Sequence, residues 1–414
     1  MARDNSAPRR RLPRLLEPPT EHHRVTQFEL FFDLVFVFAF TQVTALMAHE
    51  HDAASVLRGL TVLGILWWSW APYTWLANRA RADRGLTRLG MAFAAAAVFV
   101  IALAMPDAFA HTSGPNRAAF LLVACYLIVR VIHVGLSVLA AGDNRHLQWV
   151  TIRTFAISLT PTFLLLFLGA TLGGSIQAWL WIAAWFVDLT LVLLVSRGGK
   201  EWRIGSVVHW AERYSLVVML AVGKSVVSVG VGLREVEVDT GAVAGACLAI
   251  GGAFLLWWTY FDRFAPAAEE ALALHTGAAR AVAGNRAFLD LHYVIVAGVI
   301  LTALGVEGVM AHITDSEPLG WFGALTLCGG VSVFLLGTVL VWLQRTGNLL
   351  VGRTVLAVVL IPASSLYAVL PPVAGLSGAL IIGAGLLTFE ARSHTFENTI
   401  ASSVSERNSD DCLG

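Results

Sequence analysis

Charge is what this sequence is short of. Only 14% of its 414 residues are Asp, Glu, Lys or Arg, against roughly a quarter in soluble domains. Hydrophobic residues make up 57%, and the imbalance runs along the whole chain, which excludes one apolar anchor on a soluble domain. Net charge is zero, so there is no basic field to attract nucleic acid. Cysteine is also scarce. Cys125, Cys247 and Cys328 lie in apolar stretches and Cys412 in the tail, without CxxC or metal-ligand spacing, and they read as small buried hydrophobes. The chain carries no phosphate loop, no GxSxG and no HExxH, so neither a cofactor nor a metal is implied, and an enzyme reading ranks second. The polar, Arg- and Pro-rich Met1–Thr26 lacks the short apolar core of a secretory signal peptide.

Long apolar runs fill the rest. A spanning helix needs about 20 predominantly apolar residues. Residues 28–48, 54–76, 88–110, 117–140, 149–171 and 177–196 meet this in the first half, and 206–231, 241–261, 287–311, 319–344, 351–370 and 373–390 in the second. The expected fold is an all-α polytopic membrane bundle of about twelve spans. Basic residues crowd the N-terminal tail (Arg9, Arg10, Arg11, Arg14, Arg24) and the second connection (Arg79, Arg81, Arg84, Arg88). Acidic ones take the odd-numbered connections (Glu50, Asp52, Asp107, Glu235, Glu237, Asp239, Asp315, Glu317). By the excess of positive charge on cytoplasmic loops, both termini are expected in the cytoplasm.

The halves resemble each other. Leu66-Trp67-Trp68-Ser69-Trp70 matches Leu256-Trp257-Trp258-Thr259-Tyr260, and Arg153 before Pro161 matches Arg353 before Pro362. This predicts two parallel six-helix repeats, 28–203 and 204–391, between tails 1–27 and 392–414.

Ionisable residues inside a span are costly and usually face the bundle interior. Glu29 and Asp33 are four apart on one face of the first span. Glu29 can equally serve as a helix N-terminal carboxylate offsetting the dipole. Span 7 carries His209, Glu212 and Arg213, then Lys224 beside Gly223 and Ser225, while span 9 carries Asp290, His292 and Glu307. Span 4 carries Arg130 and His133, and span 6 carries Asp188, for which Arg153 is the expected partner. The candidate pathway is therefore Glu29, Asp33, Glu212, Arg213, Lys224 and His292. Asp33 and Lys224 would be the central charges, Glu29, Glu212 and Arg213 the cytoplasmic entry, and His292 a proton relay. Lys224 lies deeper than Asp33 by up to about 20 Å along parallel helices, so Arg213 is the better partner for Asp33, with both charges facing one central cavity.

The run Phe28-Glu29-Leu30-Phe31-Phe32-Asp33-Leu34-Val35-Phe36-Val37-Phe38-Ala39 resembles the opening signature of the bacterial low temperature requirement A family. His209 to Tyr214, Trp257 to Asp262 and Leu291 to Gly298 agree with it, and the likeness covers about residues 22–390. It implies a multipass inner-membrane protein linked by name to growth in the cold, without an assigned chemistry. The family usually reads Leu-Gly-Glu-Ser in span 7, where this chain has Val222-Gly223-Lys224-Ser225. More weakly, Phe31-Phe32-Asp33 resembles the Phe-Ser-Asp motif opening the first helix of endolysosomal potassium channels, without the serine. The expected function is a transporter or permeation protein for a small solute or ion, with its site between the repeats. An intramembrane lipid-modifying enzyme and a non-catalytic membrane-adaptation protein are the alternatives. The lipid bilayer and the solute are the expected partners, and a homo-oligomer is left open.

Overall fold

A computed structural model describes Leu16 and residues 23–109, 114–196, 203–314 and 317–393. The tail readings at 1–15, 17–22 and 394–414, Cys412 included, and the loop charge Asp315 lie outside the described residues. The described residues are helical, with no strand. In chain order the helices are α1 (Gln27–Ala48), α2 (Ala53–Ala77), α3 (Gly85–Ala108), α4 (Arg117–Ala140), α5 (Arg145–Leu172), α6 (Gly174–Ser196), α7 (Val207–Gly232), α8 (Thr240–Phe261), α9 (Phe264–Ala273), α10 (Gly277–Gly284), α11 (Leu291–Ala311), α12 (Gly320–Thr346), α13 (Val351–Tyr367) and α14 (Pro372–Ser393). All but the short α9 and α10 fall on expected spans. The connection after α8 folds as those two helices, and a π-helical turn, Asn285–Asp290, joins α10 to α11.

Among the described residues, ten helical segments are long and apolar enough to cross a membrane. Large apolar side chains also cover the outside: Phe93, Leu103, Val131, Trp179, Ile361 and Ile381 are all more than half exposed. Such a coat fits a surface that faces lipid. Cys247 belongs to this outer surface, so the expectation that it is buried is corrected, while Cys125 and Cys328 are buried. In water its position would be unfavourable; on a lipid-facing helix a small apolar side chain needs no burial.

The spans that do not meet the criterion fail for different reasons. α13 has only 17 residues. α2 has 25, but is rich in Trp, Tyr, Ser and Thr, and it is buried on every side from Thr61 to Ala77. It is the central pillar. Its indole N–H groups donate outward, Trp67 to Leu289 O (2.8 Å), Trp70 to Asp33 (2.8 Å) and Trp75 to Asn285 (3.2 Å). Around it, α1 packs on α2, α3 and α7, while α7 packs on α8 and α11. α3 lies along α4, and α11 along α12. The last contact is the closest: a Cβ on Gly298 would sit 2.2 Å from Phe334 N, and one on Gly330 2.3 Å from Thr302 N. Small residues there let two backbones meet, as in other membrane helix pairs.

Candidate functional site

α1 and α7 begin alike. Thr26 caps α1 by accepting from Glu29 N, and Ser206 caps α7 by accepting from His209 N. Each helix therefore presents an ionisable residue three and seven positions after its cap: Glu29 and Asp33 on α1, His209 and Arg213 on α7. The two sets face each other as rungs. His209 Nε2 lies 2.9 Å from Glu29 Oε2, and Arg213 donates to Asp33 Oδ2 at 2.7 Å. All four side chains are at most 1% exposed.

Further contacts hold the rungs. Glu29 Oε1 accepts from the Thr26 backbone N–H (3.1 Å) and hydroxyl (2.9 Å), closing a reciprocal capping box. The expected helix-terminal role of Glu29 and its place in a buried polar cluster thus coexist. Asp33 Oδ1 accepts from Trp70, whose ring lies 5.3 Å from the Arg213 guanidinium carbon. Arg213 Nε is 3.5 Å from Glu29 Oε2, near enough for electrostatic attraction but not aligned as a hydrogen bond.

His209 is neutral here for a geometric reason. Asn78 Oδ1 accepts from the backbone N–H groups of Gly205 (2.6 Å) and Ser206 (3.3 Å), which fixes the amide orientation and turns Nδ2 toward His209 Nδ1 at 3.2 Å. His209 Nδ1 must accept, so the ring proton is on Nε2 and is donated to Glu29. His23, outside the spans, stacks on His209 with ring centroids 4.9 Å apart. His23, Glu29 and His209 bring ligand atoms within 4.8 Å of one another, a spacing a metal ion can use. The donor set does not suit one: the Asn78 contact keeps the proton on the His209 nitrogen that would bind, and Arg213 stands beside the only carboxylate. A metal-bound histidine normally donates its other ring nitrogen, whereas this one accepts.

The other anticipated residues lie elsewhere. Lys224 is fully buried and donates to Ser228 (2.5 Å) and to Glu307 (3.3 Å) on α11, so its counter-charge is Glu307 and not Asp33. His292 is held between the Tyr260 hydroxyl (2.8 Å) and Ala287 O (2.8 Å), a carbonyl at the π-helical turn. Glu212 is half-buried and accepts from Val25 N at 3.0 Å. The structure thus gathers Glu29, Asp33 and Arg213 into one cluster and leaves Lys224, Glu212 and His292 in three separate ones. His209, Asn78, Trp70 and Thr26 complete the first cluster. The expected Asp188–Arg153 pair does not form: Asp188 pairs with Arg130 at 3.2 Å, and Arg153 is exposed over the Trp149 ring at 4.7 Å. Arg153 lies on the outer face of α5, whereas Arg130 on α4 points inward.

Hydrogen-bonding capacity is left over beside the rungs. Arg213 Nη2, the Tyr214 hydroxyl and Trp210 Nε1 are buried without a hydrogen-bond partner. Buried polar atoms of this kind call for a water, an ion or a ligand. With His209 neutral, two carboxylates share one guanidinium.

A polytopic bundle in an apolar coat, with ionisable rungs sealed between two of its central helices, defines an integral membrane protein with a buried polar site. Residues 24–388 match the bacterial low temperature requirement A protein family (LtrA), and the chain belongs to that family. It is therefore a bacterial multi-pass membrane protein. It is also similar to the uncharacterized protein RA0937 of Rhizobium meliloti (strain 1021), 26% identical over 340 residues, covering 80% of this chain and 79% of that one.

Proposed function

We propose that this protein moves a small solute or ion across the membrane, and that its site is the seam between α1 and α7. The observation that carries the reading is the coincidence of buried rungs with unused donors. Glu29–His209 and Asp33–Arg213 seal the seam, while Arg213 Nη2, Tyr214 and Trp210 beside it stay unmatched. A purely structural ion-pair network gains nothing from spare donors, because each buried unpaired group costs free energy. A passage that opens to admit a solute uses them. With both acids ionised the rungs carry one excess negative charge, which a proton or a small cation removes.

A duplicated architecture, as the sequence matches suggest, fits the same reading. The halves 28–203 and 204–391 start with equivalent caps, and α1 against α2 and α3 is matched by α7 against α8 and α11. In such folds the substrate site lies where the repeats meet. Both termini would then be cytoplasmic, with the rungs near the cytoplasmic face.

Reconstitution into proteoliposomes with pH- and ion-sensitive dyes tests it. Flux above empty vesicles, lost or altered in pH response in Asp33→Asn, is expected. No flux for any ion or proton gradient, or identical flux in Asp33→Asn, would overturn it.

A further inference from the structure

α8 and α14 touch where a Cβ added to Gly383 would lie 2.9 Å from the Leu255 side chain. From there toward the C-terminal ends of both helices they leave an open cleft of about 310 Å³. Its lining residues Phe254 and Trp258 are 49% and 42% exposed, and both helices belong to membrane-crossing segments, so the open side faces the bilayer. Phe254, Trp258 and Asp262 recur at four-residue spacing and line the cleft as one stripe, with Ala384, Leu387 and Ala391 of α14 as the other wall. Along a rise of about 12 Å the stripe passes from phenyl to indole to carboxylate. A bilayer changes in the same order, from acyl chain to interface to headgroup.

Four charged residues line the same cleft. Arg353, in the first turn of α13, and Glu390 of α14 are buried and paired with each other. Arg353 Nε donates to Glu390 Oε1 at 2.6 Å, and Nη2 donates to Glu390 Oε2 and to Thr259 O, each at 2.9 Å, which ties α8, α13 and α14 together. Asp262 is exposed and Arg263 half-buried, with Arg263 Nε 3.4 Å from Asp262 Oδ2. Arg263 Nη1 has no hydrogen-bond partner among the described residues. The four charges cancel, so the cleft has no net attraction for an anion. It does offer an accessible carboxylate and an unused guanidinium donor side by side.

We propose that this cleft holds a zwitterionic phospholipid with a primary ammonium headgroup, its phosphate on Arg263, its ammonium on Asp262 and an acyl chain between Phe254 and Leu387. The apolar depth of the cleft gives water few polar partners, whereas an acyl chain needs none. An anionic headgroup would gain from Arg263 and be repelled by Asp262. A trimethylated ammonium brings Asp262 a charge without a hydrogen, while a primary one brings three donors. The volume takes the headgroup and the start of one chain, and the rest of the lipid lies along the outer coat.

The test places full-length protein in phosphatidylcholine nanodiscs that contain phosphatidylethanolamine, phosphatidylglycerol or phosphatidylcholine brominated on an acyl chain. Bromine quenches nearby indoles, and the difference between otherwise identical proteins with and without Trp258→Phe isolates the signal of Trp258. Half-maximal quenching is expected at a mole fraction about three- to fivefold lower for the ethanolamine lipid than for the other two. Asp262→Asn and Arg263→Gln should each reduce that preference. Ala384→Leu, at an exposed position of α14, should abolish it by filling the cleft with all four charges in place. Equal quenching by the three lipids, a preference for either of the others, or a preference that survives Ala384→Leu would overturn the proposal and leave the cleft to bulk lipid. No quenching of Trp258 by any of them would overturn it too, and would assign the cleft to protein, either residues 394–414 or a second copy of the chain. Glu29, Asp33 and Arg213 are untouched by these variants, so the outcome is independent of whether the seam carries flux.

Discussion

At the residue scale the rungs make the sharpest demands. Arg213 faces two carboxylates in a water-excluded seam, so Arg213→Leu should cost about 3–5 kcal/mol by leaving buried charge uncompensated. Asp33→Asn keeps the size and the Trp70 contact and should cost less, and adding it to Arg213→Leu should recover part of the loss. Reversible unfolding in mixed micelles measures the three variants, and strict additivity would mean that the two side chains do not interact. His23 gives a pH prediction. Burial holds its pKa below the ordinary 6.5; Arg81 acts in the same direction, and Glu29 and Asp83 oppose it. The docked segment therefore binds fewer protons than the released one. Docking is undiminished above pH 6.5 and weakens as the pH falls through 6.5 toward the docked value. Amide exchange at Val25 and Thr26, corrected for intrinsic rate, should rise between pH 7.5 and 5.5. His23→Phe, which keeps the stack and cannot titrate, should lose that rise. Of this site the sequence revealed the cost of burying Glu29, Asp33 and Arg213. It did not reveal His209 as a partner, because a histidine near a helix start has many ordinary uses. The usable signal was the cap: counting from Thr26 and from Ser206 brings Glu29 opposite His209 and Asp33 opposite Arg213, whereas the Trp-Trp match directs attention to another register.

At the element scale, α11 and α12 touch through glycine. Gly298→Ala and Gly330→Ala each force a methyl into the facing backbone and should cost about 1–3 kcal/mol by overpacking. Gly308, on the same face-rich helix α11, has nothing within 4 Å of an added Cβ. Gly308→Ala should be neutral or stabilising by about 0.5–1 kcal/mol, since alanine is the better helix former. Equal effects at 298 and 308 would mean that helix propensity and not packing governs this pair. Helix positions were legible because a span must be long and apolar. Two features were not. Residues 264–284 fold as α9 and α10 because Phe264 and Leu272 find burial against neighbouring helices, a tertiary reward invisible in a run of Ala, Glu and Arg. The partner of Asp188 was misread because Arg153 and Arg130 both fit by depth, and only the azimuth of each side chain on its helix separates them.

At the scale of the whole molecule the charge alternation and the helix count make one joint claim. Twelve crossings return the chain to its starting side, so reporter fusions at either terminus should read cytoplasmic; opposite readings would remove one helix, with the short α13 the first to doubt. The repeat makes another. Residues 28–196 should overlay on 206–390 in chain order, with α9 and α10 as an insertion. Failure of an experimental structure to do so would leave the matched caps as coincidence.

The burial of α2 bears on how the protein enters the bilayer. A helix is released sideways from the translocation machinery according to its own affinity for hydrocarbon, before its final neighbours exist. α2 carries Arg58, Ser69, Pro72 and three indole groups whose acceptors lie on other helices, two of them more than 200 residues ahead in the chain. Alone it is a poor candidate for release, and the short link 49–52 ties it to the strongly apolar α1. In a single-segment insertion assay α2 should remain largely untranslocated into lipid, and fusing α1 ahead of it should raise its insertion severalfold. The pillar of the finished bundle would then be the element that depends most on its predecessor during synthesis.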